Sequence, residues 1–290
     1  MGRVLTESML SRFEADGFLF PVPIMSRTQA ADLRRRFEAF DDGPEAGTDG
    51  SKLHRYYKFK THLLFDWADA IIHNARLLDA VEDIVGPDIL VWSTGVFDKP
   101  PQSPNRIPWH QDGIYAGFEG GRVVRAWVAL SPARISNGTM KYLPASHRRG
   151  LLRHEDAIAE TSAGSLATRG EHIVDELDTR NQVHVEVEAG EASLHHFAIV
   201  HGSEPNESGE RRLSIAATFM SPDTRPMYGA DCALLVRGHD EHGHWNLEHR
   251  MMGGLCAQDR AQHAASMAMR NRVFFGGADM LPPGVVIDAD

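Results

Sequence analysis

The stretch Pro108-Trp109-His110-Gln111-Asp112-Gly113, together with His201-Gly202-Ser203 far downstream, decides the fold prediction. In a β-strand, side chains at i and i+2 point to the same face, so we expect His110 and Asp112 to bind one ion together. His201 then has to arrive from another strand to complete the set. Two histidines and one carboxylate on one face leave three coordination positions open, which is typical of non-haem Fe(II) sites. The sequence therefore predicts a metal centre built on β-strands.

A pair of polar residues follows the downstream histidine along the chain. Arg212 and Ser214 are two residues apart in the stretch Glu210-Arg211-Arg212-Leu213-Ser214, so a strand would place them on one face. A guanidinium with an adjacent hydroxyl binds a carboxylate well through paired, charge-assisted hydrogen bonds. A metal triad combined with such a carboxylate receiver predicts the binding of a chelating keto acid.

Apolar periodicity predicts a helical first third of the chain. Thr6 is expected to cap a first helix, and Leu33, Phe37 and Phe40 mark the buried face of a second. A third helix is predicted over residues 69–85, and a last one over the Ala- and Met-rich residues 253–270.

The middle of the chain is rich in β-forming residues. Strands are predicted over residues 89–97, 123–130, 140–143, 183–187, 192–200 and 213–219. Turn sequences such as Asn137-Gly138 separate them. Many short strands favour a closed or two-sheet β architecture over alternating βαβ units.

Composition and charge exclude several classes of protein. The chain has 290 residues, 42% of them hydrophobic and 24% charged, which is an ordinary globular balance. Its formal net charge of -10 argues against a nucleic-acid partner, because a phosphate backbone requires a basic face. The two cysteines, Cys232 and Cys256, favour a reducing compartment and leave one disulfide open. No signal-peptide core or apolar run of the ~20 residues of a membrane span is present, so we expect a cytoplasmic protein.

The motifs form an ordered set that resembles bacterial members of the phytanoyl-CoA dioxygenase family of Fe(II)/2-oxoglutarate-dependent oxygenases. The likeness covers roughly residues 89–220, and Pro-Ala-Ser-His stands where the family usually has Pro-Gly-Ser-His. The matching elements are Trp109-His110-Gln111-Asp112, Ala126-Trp127-Val128-Ala129-Leu130, Asn137-Gly138-Thr139-Met140, Leu143-Pro144-Ala145-Ser146-His147 and residues 190–212.

The resemblance implies a mainly β fold with flanking helices, whose core is a double-stranded β-helix: a cupin-like jelly roll. We expect a single domain over residues 1–290. Its parts would be a mainly helical flank at 1–87, the jelly-roll core at 88–221 and a C-terminal extension at 222–290.

The resemblance also assigns the site. It gives His110, Asp112 and His201 to Fe(II), and it gives Arg212, supported by Ser214, to the distal carboxylate of 2-oxoglutarate. Five further residues would line the cosubstrate pocket: Lys99, Gln111, Thr139, Trp127 and Ser203. The implied reaction uses O2, converts 2-oxoglutarate to succinate and CO2, and hydroxylates a small molecule. An intact Asp112 favours hydroxylation, because related halogenases carry Ala or Gly there, whereas desaturation and ring chemistry stay open.

Sixteen histidines make any single one weak evidence. His195 and His196 precede His201 on the same predicted strand, where alternation gives His195 the face of His201, and we expect both to support the site or the core. His147 is interpreted as structural support. A downstream histidine cluster fits a solvated loop or the rim of the site better than a second metal centre. Its members are His239, His242 and His244.

Several other residues have two interpretations each. Trp109 and Tyr115 could face the substrate. Residues 56–60 could form part of a lid or a surface loop anchored by aromatic rings, and the polar insertion at 155–179 has no predicted structure. A set of arginines could form a basic pocket for an acidic substrate or alternate along a surface strand. Its members are Arg122, Arg125, Arg148 and Arg149.

Two other classes of function stay open. A cupin-like metalloenzyme could use the same triad without a keto acid, as an isomerase or ring-cleaving dioxygenase does, but it would not need Arg212. A catalytically silent ligand-binding domain is disfavoured by the complete triad. The expected partner is a small-molecule substrate, without nucleic acid or membrane, and the chain is expected to be a monomer or a homodimer.

Overall fold

The computed structural model describes residues 4–41, 57–155 and 172–275, which divide into two compact units. The first unit takes its described residues from Met1–Ala31, Phe97–Ile114 and Val124–Ile215. The second takes them from Asp32–Val96, Tyr115–Val123 and Ala216–Asp290. Several elements contain residues of both units, and the single-domain organisation stays a prediction.

The elements are named in chain order. The helices are α1 (Glu7–Asp16), α2 (Arg27–Asp41), α3 (Asp66–Ile72), α4 (Ala75–Val85), α5 (Gly113–Ala116) and α6 (Ala257–Phe275). The strands are β1 (Phe18–Pro23), β2 (Ile89–Lys99), β3 (Ile107–His110), β4 (Phe118–Glu119), β5 (Val123–Ala129), β6 (Met140–Tyr142), β7 (His154–Glu155), β8 (His172–Ile173), β9 (Val183–His184), β10 (Glu191–His196), β11 (His201–Ser203), β12 (Arg212–Met220), β13 (Arg225–Pro226), β14 (Cys232–Arg237) and β15 (Asn246–Glu248).

Two sheets form the core of the first unit. In one, the strand order is β1-β10-β5-β12, and the end of β2 that belongs to this unit lies beside β12. In the other, the order is β3-β11-β6-β9, and each neighbouring pair is antiparallel. The sheets face each other, since the hydroxyl oxygens of Tyr142 on β6 and Ser193 on β10 lie 2.8 Å apart. Two facing sheets of short strands are the arrangement of a jelly roll.

Alternation along the first sheet selects the side chains that line the space between the sheets. On β10, Ser193 and His195 share one face. Their partners in the antiparallel register are Trp127 and Arg125 of β5, so these four side chains line the same face. All nine residues of β12 are buried, as expected for a strand covered on both faces.

The second unit places β14 between β2 and β15, antiparallel to the first and parallel to the second. Beside these strands, Lys60 is fully buried and its Nζ donates to Glu248 Oε1 at 2.6 Å and to the carbonyl oxygens of Trp92 and Cys232. Burial, the largest single effect, lowers the pKa of Lys60, but Glu248, Cys232 and Asp231 together outweigh it and the pKa is raised. Lys60 therefore belongs neither to a lid nor to a surface loop, and Tyr56 of that predicted segment lies outside the described residues.

Two helix predictions need correction. The helix predicted over residues 69–85 is two helices, α3 and α4, because Asn74 interrupts it and its side chain accepts from the backbone N–H of Leu77 at 3.0 Å. The last helix begins at Ala257 rather than at residue 253. The Asp259 carboxylate accepts from the backbone N–H groups of Met252, Gly253 and Gly254, which holds those residues in a loop.

The predicted strand over residues 192–200 is also wrong, because β10 ends at His196 and His201 begins β11 in the other sheet. The strand predicted over 183–187 is only β9. The predicted helical flank contains β1, which pairs with β10.

Other predictions have separate outcomes. Both cysteines are free thiols. Residues 156–171 of the polar insertion lie outside the described residues, and β8 follows them. Of the helices in the described ranges, none has the length and apolar character needed to cross a membrane.

Candidate metal centre

His110 and His201 are neighbours across two paired strands. His110 is the last residue of β3, His201 is the first of β11, and the two are direct partners in the antiparallel register. Their ring centroids are 4.1 Å apart. His201 thus arrives from a different strand, as the sequence predicts.

Asp112 lies in the turn between β3 and α5. The prediction that it shares a strand with His110 is wrong, because β3 ends at His110. Its carboxylate still reaches both histidines: Oδ1 is 3.8 Å from His110 Nε2, and Oδ2 is 3.7 Å from His201 Nε2. One ligand atom of each buried residue lies within 4.8 Å of the others, and this is the single such metal-binding group found among the described residues.

Backbone carbonyl groups orient both imidazoles. His110 Nδ1 lies 2.9 Å from the carbonyl oxygen of Pro108, and His201 Nδ1 lies 3.1 Å from that of Ile199. Because a carbonyl oxygen only accepts, Nδ1 carries the hydrogen in each ring and Nε2 carries the lone pair on the side of Asp112. Burial lowers the pKa of His201 to about 4, so this ring is neutral at pH 7. Imidazoles oriented in this way are typical of metal ligands.

Two residues of the first sheet contact the Asp112 carboxylate. Arg125 Nη1 is 3.2 Å from Oδ1, and His195 Nε2 is 3.5 Å from Oδ2. Burial favours a raised pKa for Asp112, but Arg125 foremost, and then His201, hold that pKa well below its usual range. Oδ2 is buried and forms no hydrogen bond within the described residues. An ionised carboxylate whose Oδ2 accepts no hydrogen bond within the described residues, placed beside two imidazoles, fits a divalent metal ion.

Arg212 is a buried guanidinium with unused donors. Its Nε and Nη2 have no hydrogen-bond partner in the described parts of the chain, and its guanidinium carbon lies 5.5 Å from the ring centroid of Trp127. Burial lowers the pKa of Arg212 to about 10, opposed by Asp98, so it is a cation at neutral pH. The hydroxyl of Ser214, on the same face of β12, donates to the carbonyl of Phe97 at 3.2 Å. Unsatisfied, buried guanidinium N–H groups fit a ligand carboxylate.

Lys99, Ser203 and Thr139 lie close to a sharp turn. Lys99 Nζ donates to Ser203 Oγ at 2.7 Å and to the carbonyl oxygen of Glu204. Burial, and next Arg212, lower the pKa of Lys99 to about 6. Gly138, just before Thr139, has a φ of 71°, and a Cβ there would lie 2.4 Å from the Glu204 carbonyl oxygen, so only glycine permits this approach. The Thr139 hydroxyl donates to the carbonyl of Val185.

Gln111, between the two ligands His110 and Asp112, is fully buried and ties three backbone groups together. Its Nε2 donates to the carbonyl oxygens of Gly150 at 2.8 Å and Ala198 at 2.6 Å, and its Oε1 accepts from the N–H of Leu152 at 2.7 Å. Through these hydrogen bonds the Gln111 side chain fixes the segment that carries the ligands His110 and Asp112 against the backbone of Gly150, Leu152 and Ala198.

Replacing Gln111 by leucine is expected to lower the free energy of unfolding by about 2–3 kcal/mol, because three backbone groups lose their partner. Urea unfolding of the two proteins measures this difference. The matched control is Gln102→Leu, which removes one exposed bond to the carbonyl of Glu207 and should change stability by less than about 0.5 kcal/mol. Equal stability of the Gln111→Leu protein and the unmodified chain would show that the hydrogen bonds of Gln111 are unimportant.

Several other predicted residues lie away from the metal group. The Trp109 indole packs with Leu143 and Val200, and the Lys141 ammonium lies 4.5 Å from its ring centroid. The indole is thus on the face of β3 opposite His110, and its contact with a substrate stays a prediction. His147 Nε2 donates to the carbonyl of Glu14, in agreement with a structural role.

The remaining candidates are also placed. The rings of His242 and His244 are 5.6 Å apart, and the metal-binding group of the described residues does not include them. Arg148 donates to the carbonyl of Glu14. The structure describes the backbone of Tyr115 but not its side chain, so the prediction that it faces the substrate is not tested.

Sequence reasoning missed the position of Arg125 next to the metal group. Alternation along the predicted strand 123–130 could have indicated this position, because it places Arg125 on the same face as Trp127, a predicted residue of the cosubstrate pocket. The sequence predicts that His195 supports the site from a strand shared with His201, but the two histidines lie on different strands, β10 and β11.

Comparison with known proteins gives consistent results. The family model for phytanoyl-CoA dioxygenase (PhyH) matches residues 13–214. Human peroxisomal phytanoyl-CoA dioxygenase is 31% identical over 183 residues, which cover 61% of this chain and 50% of that protein. A probable alpha-ketoglutarate-dependent hypophosphite dioxygenase of Stutzerimonas stutzeri is 27% identical over 182 residues, 61% of this chain and 63% of that one. The chain thus spans only about half to three fifths of these relatives.

A solved structure is similar over nearly its full length. The non-heme monooxygenase ThoJ superposes with a TM-score of 0.82 and 34% identity, covering 92% of this chain and 97% of ThoJ. The nickel complex of ThoJ gives a TM-score of 0.76 and 32% identity, covering 91% of this chain and 98% of that one. The predicted fold class, a mainly β jelly roll with flanking helices, is confirmed. With the family model matching most of the sequence and carrying the whole metal group within its span, the chain belongs to the phytanoyl-CoA dioxygenase family.

Proposed function

We propose that this protein is a non-haem Fe(II)/2-oxoglutarate-dependent dioxygenase that hydroxylates an unactivated C–H bond of a small-molecule metabolite. The observation that carries the proposal is the metal group His110, Asp112 and His201 in the same compact unit as Arg212, whose buried Nε and Nη2 have no hydrogen-bond partner among the residues that the structure describes. A triad alone fits several metalloenzymes, but a triad with a buried carboxylate receiver fits keto-acid chelation.

The residues of the chain would divide the work as follows. His110, Asp112 and His201 would hold Fe(II), and Arg212 with Ser214 would bind the distal carboxylate of 2-oxoglutarate. When bound, the metal and the cosubstrate supply the oxidation by O2, with succinate and CO2 as coproducts. The chain orients the ligands through the carbonyls of Pro108 and Ile199 and surrounds them with buried side chains that exclude water.

Hydroxylation is supported by the complete ligand set and by the similarity to ThoJ, which is named a monooxygenase. The alternative, a cupin-type metalloenzyme that uses no keto acid, leaves the unsatisfied Arg212 donors without a purpose. A silent ligand-binding domain leaves the intact triad unexplained.

Anaerobic titration with Fe(II) and then 2-oxoglutarate tests the proposal. We expect a saturable visible metal-to-ligand charge-transfer band, and none with succinate, which lacks the 2-oxo group. Tight iron binding without a band would favour the keto-acid-independent enzyme, and no iron binding would overturn the enzyme proposal. Once a substrate is found, a product 16 mass units heavier identifies hydroxylation, and one 2 mass units lighter identifies desaturation.

The proposal includes a small-molecule substrate as the sole partner type, a cytoplasmic location, and a monomer or homodimer. Light scattering during gel filtration measures the oligomeric state, and cell fractionation tests the location.

A further inference from the structure

Two paired residues of the first sheet each contact one oxygen of the Asp112 carboxylate. Arg125 and His195 are direct partners in the antiparallel register of β5 and β10. Arg125 Nη1 lies 3.2 Å from Oδ1 and His195 Nε2 lies 3.5 Å from Oδ2. Asp112 itself sits in a turn, so the sheet contributes the rigid side of these contacts.

A chain of hydroxyl groups fixes the ring of His195. Its Nδ1 lies 2.9 Å from the Tyr142 hydroxyl oxygen, which lies 2.8 Å from the Ser193 hydroxyl oxygen. His195 Nε2, the ring nitrogen that faces Asp112, has no hydrogen-bond partner within the described residues, so at 3.5 Å it meets Oδ2 through an electrostatic contact. An ionised carboxylate favours the tautomer with the ring hydrogen on Nε2. In that tautomer Nδ1 accepts from the Tyr142 hydroxyl, whose oxygen can accept from Ser193, so the two hydroxyl groups set the orientation of the ring beside Asp112.

Aromatic rings pack against Arg125 and against Tyr142, the hydrogen-bond partner of His195. The Arg125 guanidinium carbon lies 5.6 Å from the ring centroid of Phe97, and the Tyr142 ring stacks on Phe18 with centroids 4.8 Å apart. His195 and Tyr142 are both buried. None of these side chains is free to turn away from Asp112 without breaking packing.

We propose that Arg125 and His195 are positioning residues that hold the Asp112 carboxylate in its metal-binding orientation, with Tyr142 and Ser193 fixing the His195 ring. The inference rests on the metal site of the proposed function and adds the residues that orient its carboxylate ligand. Partners of metal ligands commonly contribute about 10–100-fold to metal affinity.

Co(II) titration of the purified protein, followed by absorption and calorimetry, tests this role without any turnover. His195→Phe and Arg125→Met are each expected to raise the Co(II) Kd by about 10–100-fold and to change the d–d spectrum, because the carboxylate is no longer held. His195→Gln should restore part of the affinity, since its amide can donate to Asp112. Tyr142→Phe should weaken Co(II) binding in the unmodified chain and have no further effect in the His195→Phe background.

Controls separate positioning from folding. Arg148→Met, which removes a contact with the Glu14 carbonyl, should leave the Co(II) Kd unchanged. Melting curves without metal show whether each variant is folded. If His195→Phe and Arg125→Met only lower the melting temperature, while the folded proteins bind Co(II) with unchanged affinity and spectrum, the inference is wrong.

The two levels of proposal fail differently. Co(II) binding that is lost in His110→Ala but unchanged in His195→Phe and Arg125→Met overturns the positioning role alone. An unmodified protein that binds no Co(II), or a His110→Ala protein that binds it equally well, overturns the metal site and the positioning role together.

Discussion

The His110→Ala protein is expected to have no detectable Fe(II)-dependent turnover and no charge-transfer band with 2-oxoglutarate, while remaining folded. His110 supplies one of three ligand atoms that lie within 4.8 Å of one another, and alanine has no atom that can replace Nε2. The remaining pair, Asp112 and His201, cannot supply the three protein ligands that an octahedral metal ion takes at such a site. The imidazole lies at the end of β3 and is oriented by the Pro108 carbonyl, so we expect its loss to leave the strands of the core in place.

Anaerobic absorption spectra and succinate formation measure the effect. His242→Ala is the matched control, because His242 is exposed and lies outside the metal group, and it should retain the full band. Melting curves establish that the His110→Ala protein is folded. A full-strength band in folded His110→Ala would show that the metal is bound elsewhere.

The second large effect concerns Arg212. Its replacement by alanine is expected to weaken 2-oxoglutarate binding by about 2–5 kcal/mol, which is roughly a 30-fold to several-thousand-fold rise in Kd. The physical reason is that the distal carboxylate would lose a buried, charge-assisted pair with the guanidinium. Metal affinity should be unchanged, because Arg212 is not a member of the metal group found among the described residues.

Titration of the metal-loaded protein with 2-oxoglutarate measures this Kd. Arg211→Ala is the matched control: this residue immediately precedes β12, and its side chain forms an ion pair with Asp98 at 2.7 Å. We expect it to leave the Kd almost unaltered. Identical cosubstrate affinity in Arg212→Ala and the unmodified chain would show that Arg212 is not the receiver.

The sequence predicts the members of the metal group better than it predicts the strand or turn that carries each of them. The spacing predicts His110 and His201 on separate strands, which is what the register shows. The same spacing predicts Asp112 in a strand, yet it reaches the histidines from a turn, because a short motif does not mark where β3 ends. The apolar run from Ala192 to Val200 contains no glycine or proline to mark the turn after His196, where the N–H of Ile199 bonds the His196 carbonyl at 3.0 Å.

Contacts made by distant residues were the least predictable. Arg125 alternates with apolar residues in the way that a surface strand does, and only the packing of Asp112 against β5 shows that it is needed inside. Lys60 lies among aromatic and basic residues that suggest exposure, and Glu248, far along the chain, makes its burial possible. Local sequence patterns indicate the periodicity of a helix or strand, but they do not identify the distant residue that compensates a buried charge.

Strand β5 has one further consequence. Arg125 and Trp127 are two residues apart on one face of this strand. Arg125 contacts the carboxylate of Asp112, and the ring of Trp127 lies beside the guanidinium of Arg212. A slip of this strand by one residue would turn both side chains to the opposite face at once. Deleting or inserting a single residue within β5 is therefore expected to weaken both proposed binding steps, that of the metal and that of the cosubstrate, in one change.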